Sequence, residues 1–453
     1  MEKEIKFKIT ENVILWLEII IQDRFGIDLT IKKTKSFFYL RHQGFRSCIL
    51  IKNDETLFRQ PSESLPYSYW ESDSEGWKSK IETGIPAPGY SKLENPLIKK
   101  NDINYIINYD ILSMAYWMLS RIEEVNSIDL DFHGRFSAKL SHAFRYKYLD
   151  RPIVDEWLEI LGKVIRLIWP SVSLKENSFS LVVTCDIDHP YAYYGNFKQV
   201  IKNMIFQLAN AGSSKLFIER FLDILLFVLG KKSRDPYRVG IKKIMDINEK
   251  FGNKVTFYLI PENTSSIYDP NMPIYDKRIM NIVREVNSRG HRLGIHPGYS
   301  SLKNKKTFLN SVNVFKKTLS QNNINISSIY GRQHYLRWKH PNTANLYSDC
   351  KINFDSSLGY HDYPGFRCGT CFEYALFDPK SDKILDVIES PLIFMDTSVF
   401  SKDYLNLGCS KESFILAKKL KDRCKLVSGN YTVLWHNSSF DSCTEDFYRD
   451  IIG

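Results

Sequence analysis

The stretch LVVTCDIDHPYAYY, residues 181–194, runs as an apolar strand into two carboxylates, Asp186 and Asp188, and an imidazole, His189. In a parallel α/β sheet the carboxyl ends of the strands face the crevice where ligands bind, so ionisable residues there are candidates for catalysis. Four other apolar runs end in comparable groups. HRLGIH ends in His296, SSIYGRQHYL in Arg332, His334 and Tyr335, INFDSSL carries Asp355, and YTVLWH ends in His436. A lone histidine is usually structural, whereas five strand ends bearing ionisable side chains read as the lip of an active site.

The elements that must position these residues alternate. After the first strand come two amphipathic helical runs, FKQVIKNMIFQLAN and LFIERFLDILLFVLG, then RVGIKKIMDINEKFG as a helix and KVTFYLIP as a buried strand. KRIMNIVREVNSRG sets Ile279, Ile282, Val283 and Val286 on one helical face and stops at Gly290, a suitable C′ residue. Repeated strand and helix units of this kind mean a parallel sheet, most simply closed as a distorted (β/α) barrel, and seven strands can be counted, with ILDVIESPLIF as the sixth. Ahead of them the helix IVDEWLEILGKVIRLIW stops at Pro170, so the sequence predicts a smaller N-terminal α/β domain over residues 1–172 and the barrel over 173–453.

Hydrophobic residues at 43% and charged residues at 25% are those of a globular protein. The net charge of +10 is spread along the chain with no basic block, which argues against nucleic acid as a partner. The start, MEKEIKFKITENVILWLEIII, is unlike a secretory signal, and the eight cysteines are scattered; a reduced cytoplasmic compartment is expected, with Cys368 and Cys371 as buried thiols. No run is apolar enough to span a membrane. The amphipathic pair within residues 197–232, with KKSR behind it, reads as helices packed on the body or as a peripheral contact with anionic lipid at the inner membrane face.

TCDID (184–188), GHRLGIH (290–296), RQHY (332–335) and VLWH (433–436) stand in the order and rough spacing of the polysaccharide deacetylase motifs, and residues 178–440 resemble that family, the NodB homology domain of carbohydrate esterase family 4. The chain looks most like a divergent branch from surface-polysaccharide gene clusters, with an uncharacterised N-terminal domain. The resemblance implies a hydrolase that removes N-acetyl groups from an amino sugar with a divalent metal, most simply zinc. It implies that Asp188 and His296 hold the metal and that Asp186 is the general base, oriented by Arg332. The Tyr335 backbone N–H would stabilise the oxyanion and His436 would be the general acid. Leu434 and Trp435 would line the acetyl pocket, with Asp355 among the substrate contacts.

The family usually places a second metal histidine four residues after the first, where this chain has Ser300. His334 is the expected replacement and His189 the second choice. The implied partner is an N-acetylated glycan or lipid-linked sugar. Two other readings stand beside this one. A DxD glycosyltransferase would use Asp186 and Asp188 for Mg²⁺ or Mn²⁺ and leave the histidines without roles. A glycan-binding relative would keep the barrel without the chemistry.

Overall fold

The structure, a computed structural model, describes residues 7–59, 61–195, 197–209, 214–230 and 235–453. The first helix, Glu11–Phe25, starts at Thr10, whose hydroxyl accepts the Val13 N–H, and ends at Gly26 with φ 67°. β1 (Leu29–Lys33), β2 (Phe37–His42), β3 (Cys48–Lys52), β6 (Ile98–Asn101) and β7 (Asn104–Ile107) form one sheet in the order β1-β2-β3-β7-β6. β4 (Tyr67–Trp70) and β5 (Ile85–Pro88) pair separately. Helices Ile111–Leu119 and Ile153–Ile168 complete this smaller α/β unit, the second ending just before Pro170.

The second sheet holds β8 (Ser180–Ile187), β9 (Val255–Leu259), β10 (Arg292–Ile295), β11 (Tyr330–Gly331), β12 (Phe354–Asp355), β13 (Tyr374–Asp378), β14 (Lys383–Glu389), β15 (Phe394–Met395) and β16 (Asn430–Leu434). Their order is β13-β14-β12-β11-β10-β9-β8-β16-β15, with every neighbouring pair parallel except β13–β14. The result is a mixed α/β fold with a curled nine-stranded half-barrel, two strands more than the seven counted from sequence. β13 lies in the loop-rich stretch after Asp355, where no alternation of apolar residues marks it. ILDVIESPLIF, expected as one strand, divides at Ser390-Pro391 into β14, which lies between β12 and β13, and β15, which pairs with β16 at the far end of the sheet. Between them Ser390 N–H donates to Asp355 O (2.8 Å) and Ile393 N–H to Thr432 O (3.1 Å), so four residues carry the chain from β14 to β15.

A contiguous apolar core runs through both units. Polar ties cross between them: Glu124 accepts from Arg367 at 2.9 and 2.5 Å, and Asp155 accepts from Thr370 Oγ1 (2.6 Å) and Cys371 N (2.9 Å). Cys409 and Cys443 are disulfide-bonded, the fold bringing a loop and the last helix within 6.4 Å, Cα to Cα. The other six cysteines are free and buried, Cys368 and Cys371 among them. Among the described residues no helix is long and apolar enough to cross a membrane.

Candidate metal and catalytic site

Strand alternation gives Asp186 and Asp188 a common direction at the carboxyl end of β8. β10 delivers His296 one residue beyond its end. β11 is followed by Arg332, Gln333 and His334, and the backbone then turns left-handed at Tyr335 (φ 62°) and Leu336 (φ 52°). His436 follows β16, and Asp396 follows its neighbour β15. Asn437 holds the two rims together, its amide donating to His189 O (2.9 Å) and Tyr237 O (3.1 Å).

Asp188, His296 and His334 each offer one ligand atom, all within 4.8 Å of one another. His296 Nε2 and His334 Nε2 stand 3.2 and 3.6 Å from Asp188 Oδ1. Ligands ~2 Å from a tetrahedral ion lie roughly 3.3 Å apart, so the spacing fits. The Asp188 Oδ1 atom is buried and accepts no hydrogen bond, as suits an oxygen facing a cation. Both imidazoles are oriented from behind. His296 Nδ1 lies 2.6 Å from Arg332 O, and His334 Nδ1 lies 2.9 Å from Asp269 Oδ1, so each ring carries its proton on Nδ1 and turns the Nε2 lone pair inward. The three residues could therefore hold a metal ion.

Two further pairs flank the cluster. Arg332 donates to Asp186 Oδ1 (3.2 Å), Thr184 Oγ1 (2.7 Å) and Ser356, and lies over the Tyr258 ring at 4.7 Å. On the other side His436 Nδ1 stands 2.7 Å from Asp396 Oδ1 and its Nε2 3.6 Å from Asp188 Oδ2. Burial opposes charge on His436, but the facing carboxylates of Asp396, Asp188 and Asp186 outweigh it and push its pKa up to about 10. Burial likewise works against the Asp188 carboxylate, and the imidazoles of His334, His296 and His436 hold it well below the usual carboxylate range. Asp269 is held at about 2, because its hydrogen bonds from His334, Thr264 and Tyr299 outweigh burial.

A cavity of about 260 Å³ opens here, lined by Asp186, Asp188, His296, Tyr335, Leu434 and His436 among others. A larger one, about 540 Å³, lies at the opposite ends of the strands, against Ser180, Phe354 and Asn430, and contains none of these residues. Two sequence expectations are corrected. The Trp435 ring points to the other face of its strand, packing on Phe400 and Tyr448, and does not line the cavity. Asp355 is fully buried, accepts from Ser357 N and Oγ (3.0 and 2.6 Å), and does not line the cavity. Ser300 lies in the short helical turn Tyr299–Lys303, where its N–H donates to Thr264 Oγ1 (2.9 Å), and His189 faces Tyr194 OH (3.1 Å) outside the cluster.

Sequence reasoning missed Asp269 and Arg135. Asp269 sits in a loop with no motif around it, and its oxygens take five donors in all, from Thr264, Ser265, Tyr299 and His334. Arg135 comes from the smaller unit. It lines the cavity, pairs with Asp131, and donates to Tyr335 O and Tyr404 OH at 3.1 Å each.

Residues 5–170 match a family of unknown function (DUF7033). No curated protein matches the chain in sequence. Among solved structures, a Mycobacterium smegmatis protein assigned to the polysaccharide deacetylases is similar with TM-score 0.39 and 14% identity, over 62% of this chain and 85% of that one. A Pseudomonas aeruginosa PAO1 protein with the same assignment gives TM-score 0.37 and 10% identity, over 63% and 85%. PuuE allantoinase gives TM-score 0.37 and 11% identity, over 61% and 83%. At TM-scores below 0.5 these likenesses carry no argument about activity.

Proposed function

We propose that the protein is a metal-dependent hydrolase that removes N-acetyl groups from an amino sugar in surface-polysaccharide biosynthesis, such as capsule, O-antigen or exopolysaccharide, its barrel (173–453) joined to the N-terminal domain (1–172). The observation that carries this reading is the convergence of Asp188, His296 and His334, whose ligand atoms lie within 4.8 Å of one another, with an Arg-paired carboxylate on one side and an Asp-paired imidazole on the other. Nitrogen-rich donors favour zinc over the oxygen-seeking Mg²⁺ or Mn²⁺ of a DxD transferase, and give three histidines the roles that reading leaves empty.

Zinc, when bound, would polarise the acetyl carbonyl and make water more acidic. Asp186, held in place by Arg332, takes the proton of the attacking water on a carboxylate oxygen. The Tyr335 N–H, fixed by its left-handed backbone, meets the charge that grows on the carbonyl oxygen. His436 is protonated at neutral pH, its Nδ1–H on Asp396, and its Nε2 gives a proton to the departing amine. Leu434 receives the acetyl methyl.

The test is acetate release by the full, zinc-loaded chain from free, nucleotide-linked and oligomeric N-acetylated amino sugars. The expected result is release that stops with chelator, returns with zinc, and falls about 10²–10⁴-fold in Asp186→Asn with zinc retained. Zinc-loaded protein that releases acetate from none of them overturns the proposal.

A further inference from the structure

The helix pair that follows β8 is amphipathic in the wrong sense for a packed element. Ten of the twenty-three exposed large apolar side chains among the described residues lie between Phe197 and Leu229. On helix Phe197–Ala209, Phe197, Ile201 and Ile205 form an outward stripe with Lys198 and Lys202 exposed beside it. On helix Ser214–Val228, Phe217, Phe221 and Leu225 continue the stripe, while Glu219, Arg220 and Asp223 are half-buried towards the body. Arg220 there reaches Asp441 at 4.0 Å. An exposed apolar patch of this extent marks an interaction surface.

We infer that this face docks on an anionic membrane surface. Charge complementarity selects that occupant: the exposed charges beside the stripe are lysines, and no acidic side chain among the described residues of either helix is exposed. The sequence adds Lys231, Lys232 and Arg234 directly behind the second helix, although residues 210–213 and 231–234 lie outside the described residues. A face meeting a second copy of itself would bring like charges together. Helices of 13 and 15 residues extend ~20 Å, too short to span a bilayer and suited to lying in its interface.

The pair is anchored at the catalytic rim. Asp235, which caps the following helix, also accepts the Ala192 and Tyr193 N–H groups at 2.9 Å each, so the chain leaves and re-enters beside the end of β8 that carries Asp186 and Asp188. Resting on the hydrolase reading, this places the site where an amino sugar on a lipid carrier could enter without leaving the membrane. The docking itself is independent of that reading.

The experiment is flotation of the full chain with vesicles of phosphatidylcholine alone and of an equal mixture with phosphatidylglycerol, at low and high salt. Binding is expected only to the anionic vesicles, weakening with salt. Lys198→Gln with Lys202→Gln should weaken it roughly 30-fold, and Phe217→Ser with Phe221→Ser roughly 100-fold or more. Because these side chains are exposed, both variants should keep the wild-type thermal midpoint. No flotation with anionic vesicles overturns the proposal, as does binding that neither variant changes. So does a dimer in solution that the Phe217/Phe221 variant dissociates without any vesicle binding. None of these readouts depends on acetate release, so failure here is separable from failure of the hydrolase reading.

Discussion

Asp269→Asn should weaken metal binding without touching a ligand. In the native loop Asp269 Oδ2 takes Thr264 N (2.8 Å), Thr264 Oγ1 (2.6 Å) and Ser265 N (2.9 Å), while Oδ1 takes His334 Nδ1 (2.9 Å) and Tyr299 N (2.9 Å). An asparagine must place its one carbonyl against the larger donor group, at the Oδ2 position. Its NH₂ then faces His334 Nδ1, which can answer only as an acceptor. The ring proton moves to Nε2, and the atom 3.6 Å from Asp188 Oδ1 becomes an N–H that cannot ligate. Loss of such an orienting partner costs about 10- to 100-fold in affinity, ~1.4–2.7 kcal/mol. Competition with a fluorescent chelator measures it, and ¹⁵N chemical shifts of the His334 ring report the tautomer. Thr264→Val, which removes one donor at Oδ2 and leaves His334 alone, should change affinity far less. Wild-type zinc affinity in Asp269→Asn, or equal losses in both variants, would refute the reasoning.

Glu124 ties the two units together, and Arg367 and Arg121 outweigh its burial to hold its pKa at about 2 against an ordinary 4.5. Its contribution is therefore present above pH 4.5 and lost as pH falls towards 2, ~3 kcal/mol in all; urea melts across that range should show the loss in wild type and a flatter profile in Glu124→Gln. That variant should also lose ~3–5 kcal/mol at neutral pH by leaving buried arginines underpaired. Arg135→Ala frees the Tyr335 carbonyl, so kcat should fall about 10- to 100-fold with KM and zinc content little changed, and Arg135→Lys should recover part of it. A Cβ on Gly240 would sit 2.0 Å from Asn437 O, so Gly240→Ala should lower stability by ~1–3 kcal/mol in thermal melts and loosen the rim beside His436.

Much of this architecture was legible because it repeats. Short continuous apolar runs located β8, β9, β10 and β16, and the helix before Pro170 ends where proline chemistry requires. Convergence of Asp188, His296 and His334 could be anticipated because each stands at a strand end. What escaped lies in irregular chain. β13 carries no alternation, and the ILDVIESPLIF segment splits because its two halves pair with strands far apart in the sheet, a long-range pairing that no local pattern encodes. Asp269 and Asp396 act through a histidine distant in sequence, and Arg135 through a peptide 200 residues away. Trp435 and Asp355 were misassigned for the opposite reason: being near the end of a strand does not say which face a side chain takes.

The most direct measurement is elemental analysis of the full chain, purified and zinc-loaded, beside Asp188→Ala, His296→Ala and His334→Ala. Near-stoichiometric zinc in wild type, lost in every variant while the thermal midpoint shows a folded chain, is the predicted result. A folded wild-type chain that takes up no zinc or similar ion after loading, or a His334→Ala chain that binds it undiminished, would contradict the account.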